Sequence, residues 1–460
     1  MCTVKPQVTN SHIYRYGIIC FMFYTGSGMA LQYINIFMTD YLMISAVTVS
    51  TALLVAKFID LLTSCVAGGI VEKLTFKNNQ YIGWFRIIRW VLLIGFALAF
   101  LNTNSLGISS EVVRAGIVAL GYVVFGAGMS FLIISISGVN QIMSGPDMAL
   151  RSRFSAKAAQ GQASSQIVVA AVVIPALGLF APLVGEGNSY FVVCVGLYMV
   201  SFIGSFLMVR LIKPFDTEGR HAAGAAKPKV TAKDMVKSVV TNRQLLLIII
   251  AFMLYYTAQY VLTTIQAYYF RYVINDYGYM STSMTIRTAF AFVAALFIPK
   301  LGMKLGKKKS LVVGLIVYGI GMLGITFLGL YSKHLFTLSS CLFTAAMYLF
   351  IGFGVNYFLD CGEYGYYKTG KDNRAIAMSM YNIPMKIGFM LGGSIASYGL
   401  AFLGFEAGMV MTESFINRYM FLIGVVPAVL VAIAALIIHF GYKITDEDAA
   451  AYAKANMERK

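Results

Sequence analysis

The chain has 460 residues, of which 59% are hydrophobic and only 12% are charged, and its mean hydropathy is +0.75. A soluble protein of this length needs roughly twice that share of charged residues to cover its surface, so this class is excluded. The net charge of +17 would suggest nucleic-acid binding in a soluble chain. No basic stripe is interleaved with aromatic residues here, so we predict no nucleic-acid partner and expect the basic residues in loops on one membrane face.

Apolar segments long enough to cross a bilayer recur along the whole chain, since a spanning helix needs about 20 residues. They cover residues 16–38, 46–71, 82–101, 113–143, 162–183, 189–212, 244–270, 282–299, 309–330, 337–359, 376–404 and 417–442. The sequence therefore predicts an all-α membrane protein with about twelve transmembrane helices.

The longest polar stretch separates the first six segments from the last six. We predict an N-terminal half at 1–212, a cytoplasmic linker at 213–243, a C-terminal half at 244–442 and a cytoplasmic tail at 443–460. Lys and Arg concentrate in the linker and in alternate loops, for example at 300–309. By the positive-inside rule, both termini of this cell-membrane protein are expected in the cytoplasm.

A faint internal echo relates the two halves. Gln32 and Tyr33 precede IFMTDY in the first span, and Gln266 and Ala267 precede YYFRYV in the seventh. Parallel repeats of this kind occur in transporters whose site lies near the membrane midplane between the halves.

Polar residues inside apolar spans are costly and therefore indicate function. The second span carries Lys57, Asp60 and Ser64 at spacings of three and four, which place them on one helical face. A lysine and an aspartate on adjacent turns can neutralise each other and still offer a carboxylate for coupling; a purely structural ion pair is the alternative. A second lysine, Lys386, follows Pro384 in the eleventh span, and we predict that it pairs with Asp60.

Hydroxyl, amide and aromatic side chains occur in three further spans. Such groups both donate and accept hydrogen bonds and therefore suit a polyhydroxylated ligand. The predicted substrate-binding residues are Tyr24, Gln32 and Asn35 in the first span, Ser135 in the fourth, and Tyr256 and Gln259 in the seventh. Interfacial tyrosines and helix-packing hydrogen bonds are the alternative interpretation.

No motif indicates catalysis or metal binding. The four histidines lie far apart, the six cysteines form no C-x-x-C pair, and paired catalytic carboxylates or a nucleophile motif are missing from the loops. We therefore predict that the protein is not an enzyme, has no catalytic or metal site, and needs no cofactor.

Two stretches resemble signatures of the glycoside–pentoside–hexuronide:cation symporter family, the relatives of melibiose permease. They are FMTDY followed by LLVAKFIDLLTSCVAGGIVEK, and FLDCGEYGYYKTGKDNRAIAMSMYNIPMKIG. Helix count and loop spacing extend the resemblance loosely over nearly the whole chain. It implies a major facilitator fold that works by alternating access.

The resemblance also implies roles for single residues. Asp60 matches the first carboxylate of the family's cation site, Lys57 a basic position beside it, and Lys386 the lysine of the eleventh helix. Asn382 matches a small polar group near the substrate. The charged run of the second stretch, implied to gate transport through salt bridges between the halves, comprises Asp360, Glu363, Lys368 and Arg374.

Departures from the family pattern imply an altered ligand preference. Ser64 replaces the second cation-site carboxylate, and Arg374 replaces an acidic residue. Tyr24 and Ser135 stand where the family has acidic residues of the first and fourth helices. The coupling ion is therefore open between H⁺ and Na⁺, and a proton is favoured because one carboxylate beside lysines is a poor cage for a hard cation.

The predicted function is secondary active transport of a small polar solute, namely a sugar, glycoside or uronide, by proton-coupled symport. The first alternative is a facilitator or exchanger for an organic anion drawn by Lys57 and Lys386. A membrane sensor or lipid-handling protein is the second. The predicted partners are a small-molecule substrate and the lipid bilayer; the oligomeric state is open, and a monomer suffices for this function.

Overall fold

The computed structural model describes residues 8–74, 76, 79–145, 147–216, 239–372 and 374–458. Most of these residues are helical, and the β-structure among them is a single bridge between Phe76 and Asn79. The predicted all-α class is therefore confirmed.

The described chain divides into two compact units. The first contains the residues up to 216 together with 277–282 and 405–409. Its helices are α1 (Asn10–Ile36), α2 (Ala46–Lys73), α3 (Tyr81–Ala99), α4 (Glu111–Ser144), α5 (Met148–Val184) and α6 (Glu186–Ile212).

The second unit contains the remaining described residues. Its helices are α7 (Arg243–Tyr268), α8 (Tyr279–Leu305), whose first turn groups with the first unit, α9 (Lys307–Leu328), α10 (Lys333–Met347), α11 (Gly354–Thr369), α12 (Arg374–Ser379), α13 (Ile383–Phe402), α14 (Glu413–Met420), α15 (Val426–Gly441) and α16 (Asp446–Glu458).

Within the described residues, eleven helical segments are long and apolar enough to cross a membrane. Some of them join consecutive helices, such as α10 with α11 at Lys333–Thr369. The twelfth predicted span corresponds to α13, which has 20 residues but a lower hydropathy because it carries Lys386, four glycines and two serines. The prediction of about twelve spanning helices is confirmed.

The predicted linker and tail are described only in part. The linker predicted at 213–243 lies largely outside the described residues, which resume at 239. The tail predicted at 443–460 contains α16, a helix that was not predicted from the sequence. The boundaries of the halves stay predictions.

Glycines set a close helix contact in the second unit. Gly388 and Gly392 of α13 face α7, and a Cβ atom at either position would lie 2.5 Å from the nearest α7 atom. Small residues at such contacts let helix backbones approach closely in membranes. The contact fixes α13, and with it Lys386, against α7.

The ends of α1 and α7 have the same unusual backbone. Each helix continues into one π-helical segment, Phe37–Tyr41 after α1 and Tyr269–Val273 after α7. Two residues later, Met43 and Asn275 adopt positive φ angles of 50° and 54°, which are uncommon for residues other than glycine. The internal echo seen in the sequence therefore corresponds to a repeated local structure.

Candidate functional site

The carboxyl group of Asp60 lies where α2 packs against α4. Asp60 is half-buried, and its side chain faces Gly126 of α4. A Cβ atom on Gly126 would lie 3.0 Å from both Cγ and Oδ1 of Asp60. Glycine at this position therefore leaves the space that the carboxyl group occupies.

Two serine hydroxyls connect this carboxyl group to the surrounding backbone. Ser130 Oγ of α4 donates to Asp60 Oδ1 at 3.3 Å. Ser64 Oγ lies 3.0 Å from Ser130 Oγ and donates to the backbone carbonyl of Asp60 at 2.7 Å. Asp60, Ser130 and Ser64 thus form a chain of groups within hydrogen-bonding distance of one another that links α2 with α4.

The Asp60 carboxyl group interacts electrostatically with two further groups. Lys57, half-buried one turn earlier on α2, interacts with the Asp60 charge. The buried hydroxyl of Tyr122 on α4 does so as well. Because Tyr122, Gly126 and Ser130 are spaced by four residues, they form one face of α4. Asp60 is thus surrounded by a lysine, two serines, a tyrosine and a glycine.

Hydrogen bonds join the first residues of α2 and α4. These bonds fix how far along the two helices the Asp60 site lies. Glu111, the first residue of α4, accepts hydrogen bonds from Ser45 N at 2.9 Å and from Ser45 Oγ at 2.6 Å. Ser45 is also the N-cap of α2. At a rise of about 1.5 Å per residue, Asp60 and Gly126 each lie about 21–23 Å from these tied ends. The register of two helices therefore brings the carboxyl group to the glycine.

The predicted substrate-binding residues of the first unit lie on α1 and α4. Asn35 and Ser135 are buried, whereas Tyr24 and Gln32 are half-buried. Among the described atoms, Ser135 Oγ and Gln32 Oε1 are buried and make no hydrogen bond within the protein. These two atoms are candidates for contact with a polar ligand.

The predicted site residues of the second unit lie on α7 and beside α13. Tyr256 and Gln259 are half-buried on α7, Lys386 is half-buried on α13, and Asn382 is exposed in the turn before α13. Tyr256 packs against Gly388. The roles of these residues in substrate binding and coupling, and the pairing of Lys386 with Asp60, stay predictions.

The predicted gating residues are engaged within the second unit. Asp360 of α11 forms an ion pair with Lys307 of α9. One turn further along α11, Glu363 accepts hydrogen bonds from Arg374 at 3.0 Å and from Asn456 of α16 at 2.7 Å. These contacts join α9, α11, α12 and α16; the gating role itself stays a prediction.

The end of this charged run is partly exposed. Arg374 also bonds Asp372 at 2.6 Å and 2.8 Å, and the Asp372 and Glu363 carboxylates raise the pKa of its guanidinium further above an already high value. Arg374 is therefore always charged. Lys368 is exposed, and its Nζ donates to the Tyr364 hydroxyl at 3.4 Å.

The α4 residues beside Asp60 were not predicted from the sequence. Ser135 was predicted in the fourth span, whereas Ser130 and Tyr122 were not. The repeat of a tyrosine, a glycine and a serine at four-residue intervals was the available signal. That repeat does not tell which neighbouring helix faces it, so it could not have assigned Ser130 to Asp60.

Comparison with known proteins places the chain among transporters. Residues 16–446 match the family described as MFS/sugar transport protein. The uncharacterized symporter YjmB of Bacillus subtilis (strain 168) is 26% identical over 93% of this chain and 90% of its own. The glucuronide carrier protein homolog of Escherichia coli (strain K12) is 23% identical over 93% of this chain and 90% of its own.

A solved structure supports the fold. The nucleoside transporter NupG has a TM-score of 0.64 to this chain at 14% identity, covering 95% of this chain and 100% of its own. At this identity, the likeness shows the shared fold alone.

These findings confirm the predicted class. The protein is a multi-pass membrane transporter that takes a small-molecule substrate, and it is not an enzyme. The resemblance drawn from the two signature stretches is confirmed as well, with the departures at Ser64, Tyr24 and Ser135 marking divergence. The chain belongs to the MFS/sugar transport protein family, as a divergent relative of the glycoside–pentoside–hexuronide symporters.

Proposed function

We propose that the protein moves a sugar, glycoside or uronide across the cell membrane by proton-coupled symport, with Asp60 taking up and releasing the proton. The family match and the symporter and glucuronide carrier relatives support the solute class. The observation that carries the coupling is the hydrogen-bonded chain from Asp60 through Ser130 to Ser64.

This chain suits an ionised Asp60. A carboxylate accepts hydrogen bonds, and a serine hydroxyl has one proton to donate and lone pairs with which to accept. Ser130 donates to Asp60 Oδ1, while Ser64 donates to the backbone carbonyl of Asp60. Lys57, one turn away, compensates the negative charge.

The same side chains suit a protonated Asp60. The carboxylic acid donates to Ser130, Ser130 turns its proton toward Ser64 across 3.0 Å, and Ser64 keeps its bond to the Asp60 carbonyl. Each donor has an acceptor in this arrangement as well. Rotation of one hydroxyl thus accommodates both protonation states, which a carboxylate fixed by an ion pair does not allow.

The same arrangement disfavours sodium as the coupling ion. A hard cation in a dry site is held by several oxygen ligands, commonly from more than one carboxylate. Ser64 supplies a hydroxyl where the resemblance implies the second carboxylate. One carboxylate with a lysine one turn away favours a proton over a metal cation.

The remaining sequence-based assignments complete the proposal. The two units correspond to the N- and C-terminal halves, and both termini are cytoplasmic. The residues proposed to bind the substrate are Tyr24, Gln32, Asn35, Ser135, Tyr256, Gln259 and Asn382, and those proposed to gate it are Asp360, Glu363, Lys368 and Arg374.

Proteoliposomes with an imposed inward proton gradient test the coupling. We expect Asp60→Asn, which imitates the protonated side chain, to lose uphill accumulation of labelled methyl β-D-glucuronide and methyl β-D-glucoside. It keeps counterflow, because exchange needs no net proton movement. Glu447→Gln, on an exposed residue of α16, is the control and accumulates like the wild type.

A pair of serine variants sharpens this experiment. Ser130→Ala removes the donor to Asp60, and we expect about tenfold lower accumulation, the effect of losing one hydrogen bond to a charged group. Ser137→Ala is the matched control, because Ser137 is exposed on the same helix and bonds its own helix backbone. Accumulation by Asp60→Asn at the wild-type level would refute symport through Asp60 and favour a facilitator or exchanger.

A further inference from the structure

A second polar cluster lies inside the second unit and shares no residue with the predicted site. It is centred on Arg287 of α8, whose Nη1 donates to Gln266 Oε1 of α7 at 3.3 Å. The charge of Arg287 also acts on the hydroxyl of Tyr318 on α9 and on the thiol of Cys341 on α10. Arg287, a half-buried residue, therefore lies among four membrane-spanning helices.

Several donors of this cluster are buried without an acceptor. Tyr255 and Tyr318 are each 1% exposed, their ring centroids are 5.3 Å apart, and neither hydroxyl makes a hydrogen bond within the protein. Gln266 is also 1% exposed; its Oε1 accepts from Arg287, and its Nε2 has no acceptor. Buried polar groups are nearly always hydrogen-bonded, and leaving one unsatisfied costs about 1–3 kcal/mol. Three such groups, connected to one arginine through Gln266 and Tyr318, indicate a ligand site.

The charges of the surrounding helices specify the ligand. The sequences of α7, α8, α9 and α10 contain arginine and lysine but no aspartate or glutamate. An arginine within a membrane helix is expensive and marks a substrate or ion pathway. The guanidinium and the Gln266 amide nitrogen can only donate hydrogen bonds, and the two phenols can donate as well. Such a set matches the oxygens of a carboxylate or sulfonate.

We infer that Arg287, Gln266, Tyr255 and Tyr318 form an anion subsite that binds the carboxylate or sulfonate of an acidic sugar. This inference rests on the proposed function, since it takes the solute to be sugar-like, and it narrows the solute to an anionic one. Arg287 and Gln266 supply the charge-assisted contacts, and the two tyrosines complete the set of donors. Lys57 and Lys386, proposed for coupling, are not part of this subsite.

A structural role for the cluster makes a different prediction. If the bond between Arg287 and Gln266 only held α7 against α8, its loss would affect every solute equally. A subsite for the anionic group affects an acidic sugar and leaves its neutral analogue nearly unchanged. The comparison of two matched sugars therefore separates the two roles.

The test uses counterflow in proteoliposomes with methyl β-D-glucuronide and methyl β-D-glucoside, which differ at C6 as carboxylate and hydroxymethyl. Counterflow does not depend on proton coupling, so an error about Asp60 leaves the result intact. We expect the wild type to have a half-saturation concentration at least about tenfold lower for the glucuronide. Arg287→Gln should raise this concentration about 10- to 100-fold, the loss of a charged hydrogen bond, and change the glucoside value less than about twofold.

Control variants make the result specific. Lys300→Gln removes a positive charge from an exposed position on the same helix and should change neither sugar. Tyr318→Phe and Tyr255→Phe keep the rings and remove one hydroxyl each, so they carry the test even if Arg287→Gln does not fold. We expect a selective loss of about three- to tenfold for the glucuronide in each.

Two results would overturn the inference. They are a wild type without preference for the glucuronide, and equal effects of the Arg287 and tyrosine variants on both sugars. A wild type that carries neither sugar would overturn the proposed function, and the subsite with it. Competition by the matching C6 sulfonate against the glucuronide identifies which anionic group the subsite prefers.

Discussion

Carboxyl groups of the two units have contrasting neighbours. In the first unit, Asp60 bonds to the hydroxyl of Ser130. In the second unit, Asp360 is ion-paired with Lys307, which also contacts Asp446 at 3.4 Å. Besides Lys57, the first carboxyl group has a hydroxyl neighbour that can either donate or accept a hydrogen bond, whereas the second is bonded to a lysine that can only donate.

Under the proposed mechanism, this difference separates a carboxyl group that takes up and releases a proton from one that stabilises the fold. An ion pair stabilises the charged form of a carboxylate, so proton uptake would break the pair. A serine hydroxyl serves both forms. Burial alone does not make the distinction: Asp216 is only 2% exposed, yet it accepts from Gln80 N at 3.1 Å and Ile82 N at 2.8 Å and so holds the start of α3.

The most direct test of this difference moves the Asp60 carboxyl group while leaving Asp60 itself unchanged. In Gly126→Ala, the new Cβ would meet the Asp60 carboxyl group at 3.0 Å, so this flexible side chain moves away from Ser130. We expect a loss of proton-driven accumulation of about 10- to 100-fold, as for the loss of a charged hydrogen bond. Uptake along an imposed proton gradient in proteoliposomes measures this loss.

Gly116→Ala on the same helix is the matched control. A Cβ atom at Gly116 meets nothing within 4 Å, and alanine favours a helix by about 0.5–1 kcal/mol over glycine. This variant should transport like the wild type. Equal transport by the two variants would show that the position of Asp60 against α4 is unimportant.

The ion pair of the second unit should instead be visible in stability. The side chains of Lys307 and Asp360 are 21% and 15% exposed, so removing either one leaves a partly buried charge. We expect Lys307→Ala and Asp360→Ala each to lower the unfolding free energy by about 1–3 kcal/mol, less than for a fully buried pair. The double variant should lose less than the sum of the two single losses.

Thermal or denaturant unfolding in detergent measures this double-mutant cycle. Lys309→Ala provides the control, since Lys309 is exposed on the same turn of α9 and should change stability by less than about 0.5 kcal/mol. Additive losses at Lys307 and Asp360 would show that the pair contributes no coupling. The contrast with Asp60 would then lose its basis.

The fold could be predicted from the sequence because few backbone structures can cross a lipid bilayer. Every backbone group must be bonded internally, so long apolar runs become helices. The ends of the helices were harder to predict, because a helix can continue beyond the apolar run that marks its membrane-spanning part. The fifth span was predicted at 162–183, yet α5 begins at Met148, where Asp147 accepts a hydrogen bond from Leu150 N.

Only the part of the candidate site that lies within one helix could be predicted from the sequence. Helical periodicity placed Lys57, Asp60 and Ser64 on one face, and the structure joins Asp60 with Ser64. Ser130 and Gly126 come from another helix, and their register against Asp60 is set by the tie between Ser45 and Glu111. Pairings between helices are not encoded in local spacing, which is why these residues were missed.

Helix α16 was missed for a different reason. The chain was divided by hydropathy, and Asp446–Glu458 is polar and rich in alanine. Its sequence did carry a signal, because Thr445 and Asp448 form the threonine-to-acid spacing of a capping box. In the structure Asp448 Oδ2 accepts from Thr445 N at 3.0 Å, and Thr445 Oγ1 accepts from Asp448 N at 3.1 Å.

This capping box supplies the smallest expected effect, and its carboxylate is bonded to backbone, like that of Asp216. The hydrogen bonds from Thr445 lower the pKa of Asp448 below its ordinary value. A carboxylate with a lowered pKa stabilises the folded form above its unfolded-state pKa, and this contribution is lost as the pH falls through the folded value.

The first turn of α16 should therefore exchange its amide protons about threefold faster in Asp448→Asn than in the wild type at neutral pH, which is the expected effect of losing one capping interaction. Below the folded pKa of Asp448 the two should differ little. Hydrogen exchange followed by mass spectrometry measures both conditions, with Glu447→Gln as the control. A ratio that stays constant across this pH range would show that Asp448 does not hold the helix start through its charge.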